Sequence, residues 1–130
     1  MAARKNKYGN KQVEIDGIVF DSKKEGYYYL YLLDRLKKNE IIGLRRQVEF
    51  ELVPPVYEKR IKHFKTKPDE EEFVEIQKPI KYIADFVYVD AATGKEVVVD
   101  VKSDATRKDK VYVLKKKMML AFEGIRIQEE

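Results

Sequence analysis

Two hydrophobic periods alternate along this chain, and the switches between them outline its elements. Val13–Phe20 is a short β-branched run split by Asp16-Gly17, a dipeptide suited to a tight turn, which predicts a hairpin. Tyr29, Leu32, Leu33 and Leu36 then recur at helical spacing, so a helix is predicted from Asp21-Ser22 to Lys37-Lys38-Asn39. The cations at its end suit a helix C-terminus. Ile41-Ile42-Gly43 and Gln47–Val53 have strand character up to Pro54-Pro55. Residues 56–78 are the least legible. They are expected to form a strand, an acidic loop at Lys67–Glu72 and a returning strand, with the loop inserted in an otherwise ordinary sheet.

The strongest strands follow. Ile80–Val89 and Glu96–Lys102 are joined by the turn Asp90–Lys95. Lys110–Phe122 is predicted as a second helix, with Val111, Leu114, Met118 and Phe122 on its apolar face and Gly124 as its C-cap. Ile125–Ile127 is expected to be a last strand. The sequence of elements points to an α/β (α+β) domain: a mixed sheet flanked by helices. Residues 1–11 are expected to be a basic flexible arm and 12–130 one domain, a size that suits 130 residues.

Composition narrows the chemistry. With 44% hydrophobic residues a real core can form, and with 38% charged residues the surface must be strongly ionic. The absence of Cys excludes disulfides, thiolate catalysis and Cys-ligated zinc, and a single His, His63, excludes a multi-His site within one chain. Any metal must therefore be held by carboxylate oxygens, which favours Mg²⁺ or Mn²⁺. No apolar run reaches membrane-spanning length, so a soluble, cytoplasmic protein with no membrane partner is expected. Charge is unevenly placed. Arg4, Lys5, Lys7 and Lys11 meet no acid in the first thirteen residues, and Lys102–Lys117 holds seven basic residues against two acids. Both clusters would suit a polyanion such as DNA, or equally a solvated surface. Lys115 and Lys116, on the second helix, are candidate backbone contacts.

Two acids lie inside the best strands, where propensity and burial both argue against them. Asp85 shares its expected face with Ile83, Val87 and Val89, and Asp100 sits in a run of valines. If Ala91–Gly94 is a four-residue loop, Asp85 falls opposite Asp100 on the same face, with Lys102 two positions on. Facing carboxylates repel unless something offsets them. A divalent cation would, and two acids with a lysine are what metal-assisted phosphodiester hydrolysis needs. The bland alternative is surface ion pairing. Glu25 has two readings as well: the acid of a capping box, Ser22-Lys-Lys-Glu25, or a further ligand pointing from the helix to the sheet.

Phe20-Asp-Ser-Lys-Lys-Glu25, the Gln47–Leu52 strand, Tyr82-Ile-Ala-Asp85-Phe, Val99-Asp100-Val-Lys102 and the Leu114-Lys-Lys-Lys helix together resemble a family of small phage and prophage proteins. That family is described as PD-(D/E)XK nucleases, similar to phage junction-resolving endonucleases. The likeness runs from about Gly9 to the C-terminus. It implies a restriction-endonuclease-like αβββαβ core and Mg²⁺-dependent cleavage, with Mn²⁺ able to substitute. It assigns Glu25, Asp85 and Asp100 to the metal and Lys102 to the catalytic lysine position. The expected substrate is branched DNA such as a four-way junction in a bacterial host cell, cut by a homodimer. A less selective nuclease and a non-catalytic DNA-binding module are the alternatives. The sequence departs from the pattern in two places: Asp100 stands where Glu is common, and no Pro precedes Asp85.

Overall fold

The computed structural model describes residues 11–130; the basic residues Arg4, Lys5 and Lys7 lie outside them. The hairpin forms as expected from β1 (Val13–Ile15) and β2 (Ile18–Phe20). Asp16 and Gly17 both take positive φ, 51° and 77°, the backbone of the favoured two-residue turn. Helix α1 (Lys23–Lys37) starts where the Ser22 hydroxyl accepts from the Glu25 amide at 3.1 Å. Gly26 lets α1 lie close against the hairpin: a Cβ there would come within 2.7 Å of Ile15 and 3.1 Å of Val13.

The main sheet contains β3 (Ile41–Val53), β6 (Ile80–Asp90), β7 (Glu96–Asp100) and β8 (Gln128–Glu129), in that order. The first three run antiparallel and β8 is parallel to β7, so the sheet is mixed. Helix α1 covers one face over Leu32, Phe86, Tyr88, Val99 and Val101. Helix α3 (Lys110–Glu123) covers the other over Tyr82, Ala84, Val87 and Val98. A mixed sheet flanked by helices is thus the observed architecture. The predicted register is also observed: Asp90 and Lys95 close the turn by a 2.9 Å bond, and Val87 pairs with Val98.

Several local expectations are corrected. Residues 56–77 do not extend the sheet. They form a separate two-stranded ribbon, β4 (Val56–Lys62) and β5 (Glu70–Gln77), and Glu70–Glu72 are strand residues rather than a loop. A short helix, α2 (Asp104–Arg107), precedes α3. The last strand begins at Gln128 rather than Ile125, and Ile127 is buried. Helix α3 buries Tyr112 and Met119, whereas Val111, Leu114 and Phe122 of the predicted face stay exposed. The helix carries two apolar rows, and periodicity alone does not choose between them. Gly124 does end it, in the left-handed conformation.

One irregularity shapes the site. In a regular strand Ala84 and Phe86 would share a face, yet Ala84 packs under α3 and Phe86 under α1. In β3, Leu44 packs on the α1 side and Val48 on the α3 side, although positions four apart share a face in a regular strand. Gln47, at φ 50°, lies between the paired rows Arg46–Phe86 and Val48–Ala84. Both strands therefore turn over at the position shared by Gln47 and Asp85. The single face predicted for Ile83, Asp85, Val87 and Val89 breaks there: Ile83 is exposed while Val87 is buried and Val89 half-buried.

Candidate active site

The β6–β7 ladder pairs as far as Phe86 and Val99. Beyond it the Val101 amide donates to the Asp85 carboxylate, Oδ2, at 2.9 Å. A side chain has taken the place of the next strand carbonyl, so the strands part and leave a cleft. The residues predicted from the sequence stand around it. Asp85 and Asp100 hold their predicted strand positions, and Glu25 reaches in from the first turn of α1. All three are buried, Asp100 completely.

Gln47 links two of them. Its amide nitrogen donates to Glu25 Oε1 at 3.3 Å and to Asp85 Oδ1 at 3.4 Å. Of the two readings of Glu25, half of the capping box forms through Ser22, while the carboxylate turns to the sheet. Gln47 carries no role in the sequence-based argument. The one available signal is an uncharged amide in a strand position opposite Asp85, and that becomes meaningful only once the β3–β6 register is known.

Asp100 is tied on the α3 side. The Tyr82 hydroxyl donates to its Oδ2 at 2.5 Å. Its Oδ1 is buried without a hydrogen bond and faces Lys102 Nζ at 3.2 Å as an ion pair. Lys102 Nζ also lies 5.3 Å from the centre of the Tyr112 ring.

The acids crowd one another. Burial, then the Asp85 and Asp21 charges, push Glu25 up to about 7. Burial, followed by the contact with Asp85, pushes Asp100 up to about 8, against the opposing pull of Lys102 and Tyr82. Burial works against the charge on Lys102, but Asp100, Asp85 and Glu25 outweigh it and hold its pKa above the ordinary value. Lys102 is therefore a firm cation at neutral pH, while Glu25 and Asp100 hold their protons more tightly than ordinary carboxylic acids. A further cation bound beside them would favour their ionised forms.

The donor set fits a hard divalent ion: carboxylate oxygens only, one of them Asp100 Oδ1 without a hydrogen bond. The side chains are not arranged around such an ion as they stand. Among the described residues, no three His, Cys, Asp or Glu side chains form a ready metal-holding group. The Gln47 amide is the donor shared by Glu25 and Asp85 in this arrangement.

A pocket of about 360 Å³ opens beside Asp100 and Lys102. Lys81 and Lys115 line it, with Tyr82, Thr106 and Tyr112. Of the two α3 lysines singled out from sequence, Lys115 thus borders the site, whereas the Lys116 ammonium is taken up by Glu129. Glu129 also accepts from the Tyr112 hydroxyl at 2.9 Å. Lys11 is exposed and forms an isolated bridge ahead of β1. His63 pairs with Asp69 at 2.9 Å at the ribbon's tip, away from the carboxylates.

An α+β domain with buried acids and a cationic lysine at the splayed end of its central strands is the class that fold and site define. The chain belongs to the family described as Protein of unknown function (DUF1064), whose model matches residues 5–128. No curated protein and no solved structure matches it. No helix among the described residues is long and apolar enough to cross a membrane.

Proposed function

We propose that this protein is a metal-dependent DNA endonuclease of the PD-(D/E)XK type, acting on branched DNA such as a four-way junction. The observation that carries the proposal is the meeting of Glu25, Asp85, Asp100 and Lys102 from one helix and two strands at a single cleft. The order α1, β3, β6, β7, α3, β8 supports a restriction-endonuclease-like αβββαβ core, with the β4–β5 ribbon inserted between its first two strands.

Asp85 and Asp100 would hold Mg²⁺ or Mn²⁺, with Glu25 as a further ligand. Bound there, the ion would polarise the phosphodiester and lower the pKa of the attacking water. The protein's own groups do the rest. Asp85 keeps the cleft open through the Val101 amide. Gln47 steers Glu25 and Asp85 towards each other. Tyr82 fixes the Asp100 carboxylate. Lys102, held protonated, donates hydrogen bonds; it can orient a water or stabilise charge building on the phosphate oxygens, but it does not serve as the base. Lys81 and Lys115 offer backbone contacts along the adjoining pocket. Resolving a junction needs two symmetric cuts, so this reading also calls for a homodimer. Cytoplasmic action in a bacterial host cell belongs to the same reading.

The test is cleavage of a labelled four-way junction beside a linear duplex of matched sequence, with Mg²⁺, Mn²⁺ or EDTA, for the wild type and for Asp100→Asn. Paired, metal-dependent cuts confined to the junction, lost in Asp100→Asn while DNA binding persists, are expected. Cutting of both substrates removes the junction preference. Cleavage in EDTA, or by Asp100→Asn at the wild-type rate, overturns the site.

A further inference from the structure

The β4–β5 ribbon leaves a question that the cleft does not answer. Two strands alone are marginal in water. Among the described residues, neither strand packs extensively on any other element. The ribbon is also two-sided in character. Its register places Tyr57 beside Glu75, Lys59 beside Phe73 and Ile61 beside Glu71 on one face. The opposite face carries Glu58, Val74, Arg60, Glu72, Lys62 and Glu70, nearly all charged. The first face holds the large apolar groups in a zigzag across the two strands, and they are wide open to solvent: Tyr57 is 55% exposed, Ile61 57% and Phe73 70%. Contiguous exposed groups of this size mark a contact surface.

We infer that this face is a self-association surface that packs on the same face of a second copy of the chain. The charges select that occupant. On this face β4 presents Lys59, and β5 presents Glu71 and Glu75 on either side of Phe73. DNA is disfavoured by the acidic strand, whose carboxylates would lie along any backbone laid on the ribbon. Pairing two ribbons edge to edge about a two-fold axis sets each strand against its own copy, basic on basic or acidic on acidic. Face-to-face packing about an axis along the strands does the opposite, because it lays β4 of one copy over β5 of the other. Lys59 then stands over Phe73 of the second copy, between that copy's Glu71 and Glu75. By symmetry the contact is made twice. The same chain always supplies the matching pattern, whereas an unrelated partner would have to evolve it.

The face is modest. Seven paired rows span about 23 Å, so the expected state is a concentration-dependent monomer–dimer equilibrium rather than a permanent dimer. The inference gives a surface to the homodimer that the nuclease reading calls for and rests on that reading to this extent, while its test needs no activity measurement. Sedimentation equilibrium on the full chain is expected to show mass rising from one chain to two with concentration. Lys59→Glu, and separately the double variant Glu71→Lys with Glu75→Lys, should each stay monomeric. Mixed together they should form a dimer again, since the reversed charges now match across the interface. Rescue by mixing separates an interface from mere weakening of the ribbon, in which Lys59 and Glu71 already form an ion pair within one chain. Circular dichroism checks that each variant is folded. A wild type that stays monomeric at every attainable concentration overturns the inference. So does a wild-type dimer that both variants leave intact. Ribbon variants that lower DNA affinity without changing mass would assign the ribbon to DNA instead and would equally overturn it.

Discussion

Replacing Asp100 with Asn removes one charge from the acid cluster and almost no volume, so it isolates the electrostatic strain that the cleft holds without metal. Asp100 and Glu25 have folded-state values of about 8 and about 7, both above the ordinary carboxylate range. Between pH 4 and 8 the folded protein therefore binds more protons than the unfolded chain, and stability must fall as pH rises through that window. Below it both states are protonated and the penalty is absent. Each group contributes on the order of a few kcal/mol by pH 9, and together they weigh against a total stability of roughly 5–15 kcal/mol. Asp100→Asn should therefore match the wild type near pH 5 and exceed it near pH 9. At roughly 4 °C per kcal/mol for a domain of this size, the gap in Tm should reach several degrees. Thermal unfolding in EDTA across pH 5–9 measures it. Adding Mg²⁺ should flatten the wild-type slope and leave the variant nearly unaffected. A variant that is less stable than wild type by the same amount at every pH would refute the argument, because it would mean that Asp100 is a satisfied structural carboxylate paired with Tyr82 and Lys102.

Other consequences can be checked separately. Lys102→Ala should reduce turnover far more than Mg²⁺ affinity; calorimetry showing a metal-binding defect as large as the rate defect would contradict its role as a cationic donor. Gln47→Ala removes the donor shared by Glu25 and Asp85, which favours the protonated acid, so the acidic limb of the pH–rate profile should move to higher pH. An unmoved limb would show that Gln47 has no part in setting the cluster. Gly26→Val should destabilise the fold by about 1–3 kcal/mol by forcing α1 away from the hairpin; urea unfolding with an unchanged midpoint would show that the hairpin moves freely.

Much of the site was legible because it depends on short-range rules. The Asp90–Lys95 turn fixes the β6–β7 register, and that register alone brings Asp85 and Asp100 together. The start of α1 follows from Ser22, and its tyrosine and leucine spacing sets which face meets the sheet, hence where Glu25 points. What escaped depends on contacts distant in sequence. Gln47 acquires meaning only from the strand opposite. The face of α3 is chosen by Tyr112 reaching Glu129 rather than by the stronger-looking row of Val111, Leu114 and Phe122. The ribbon was misread because mixed charges hide its alternation, and nothing local distinguishes a strand that joins the sheet from one that leaves it.

Glu129 and Glu130 carry an unexpected responsibility. The Glu130 amide donates to the Asp100 carbonyl and the Lys102 amide donates to the Glu130 carbonyl, both at 3.0 Å, so the segment bearing the acid and the lysine is laced to Glu130 from both sides. Glu129 meanwhile holds Tyr112 and Lys116. Loss of Glu129 and Glu130 would leave the hydrophobic core whole and yet unlace the strand that presents Asp100 and Lys102. Such a protein would still melt cooperatively and pass as intact by circular dichroism while its cleft had already come apart.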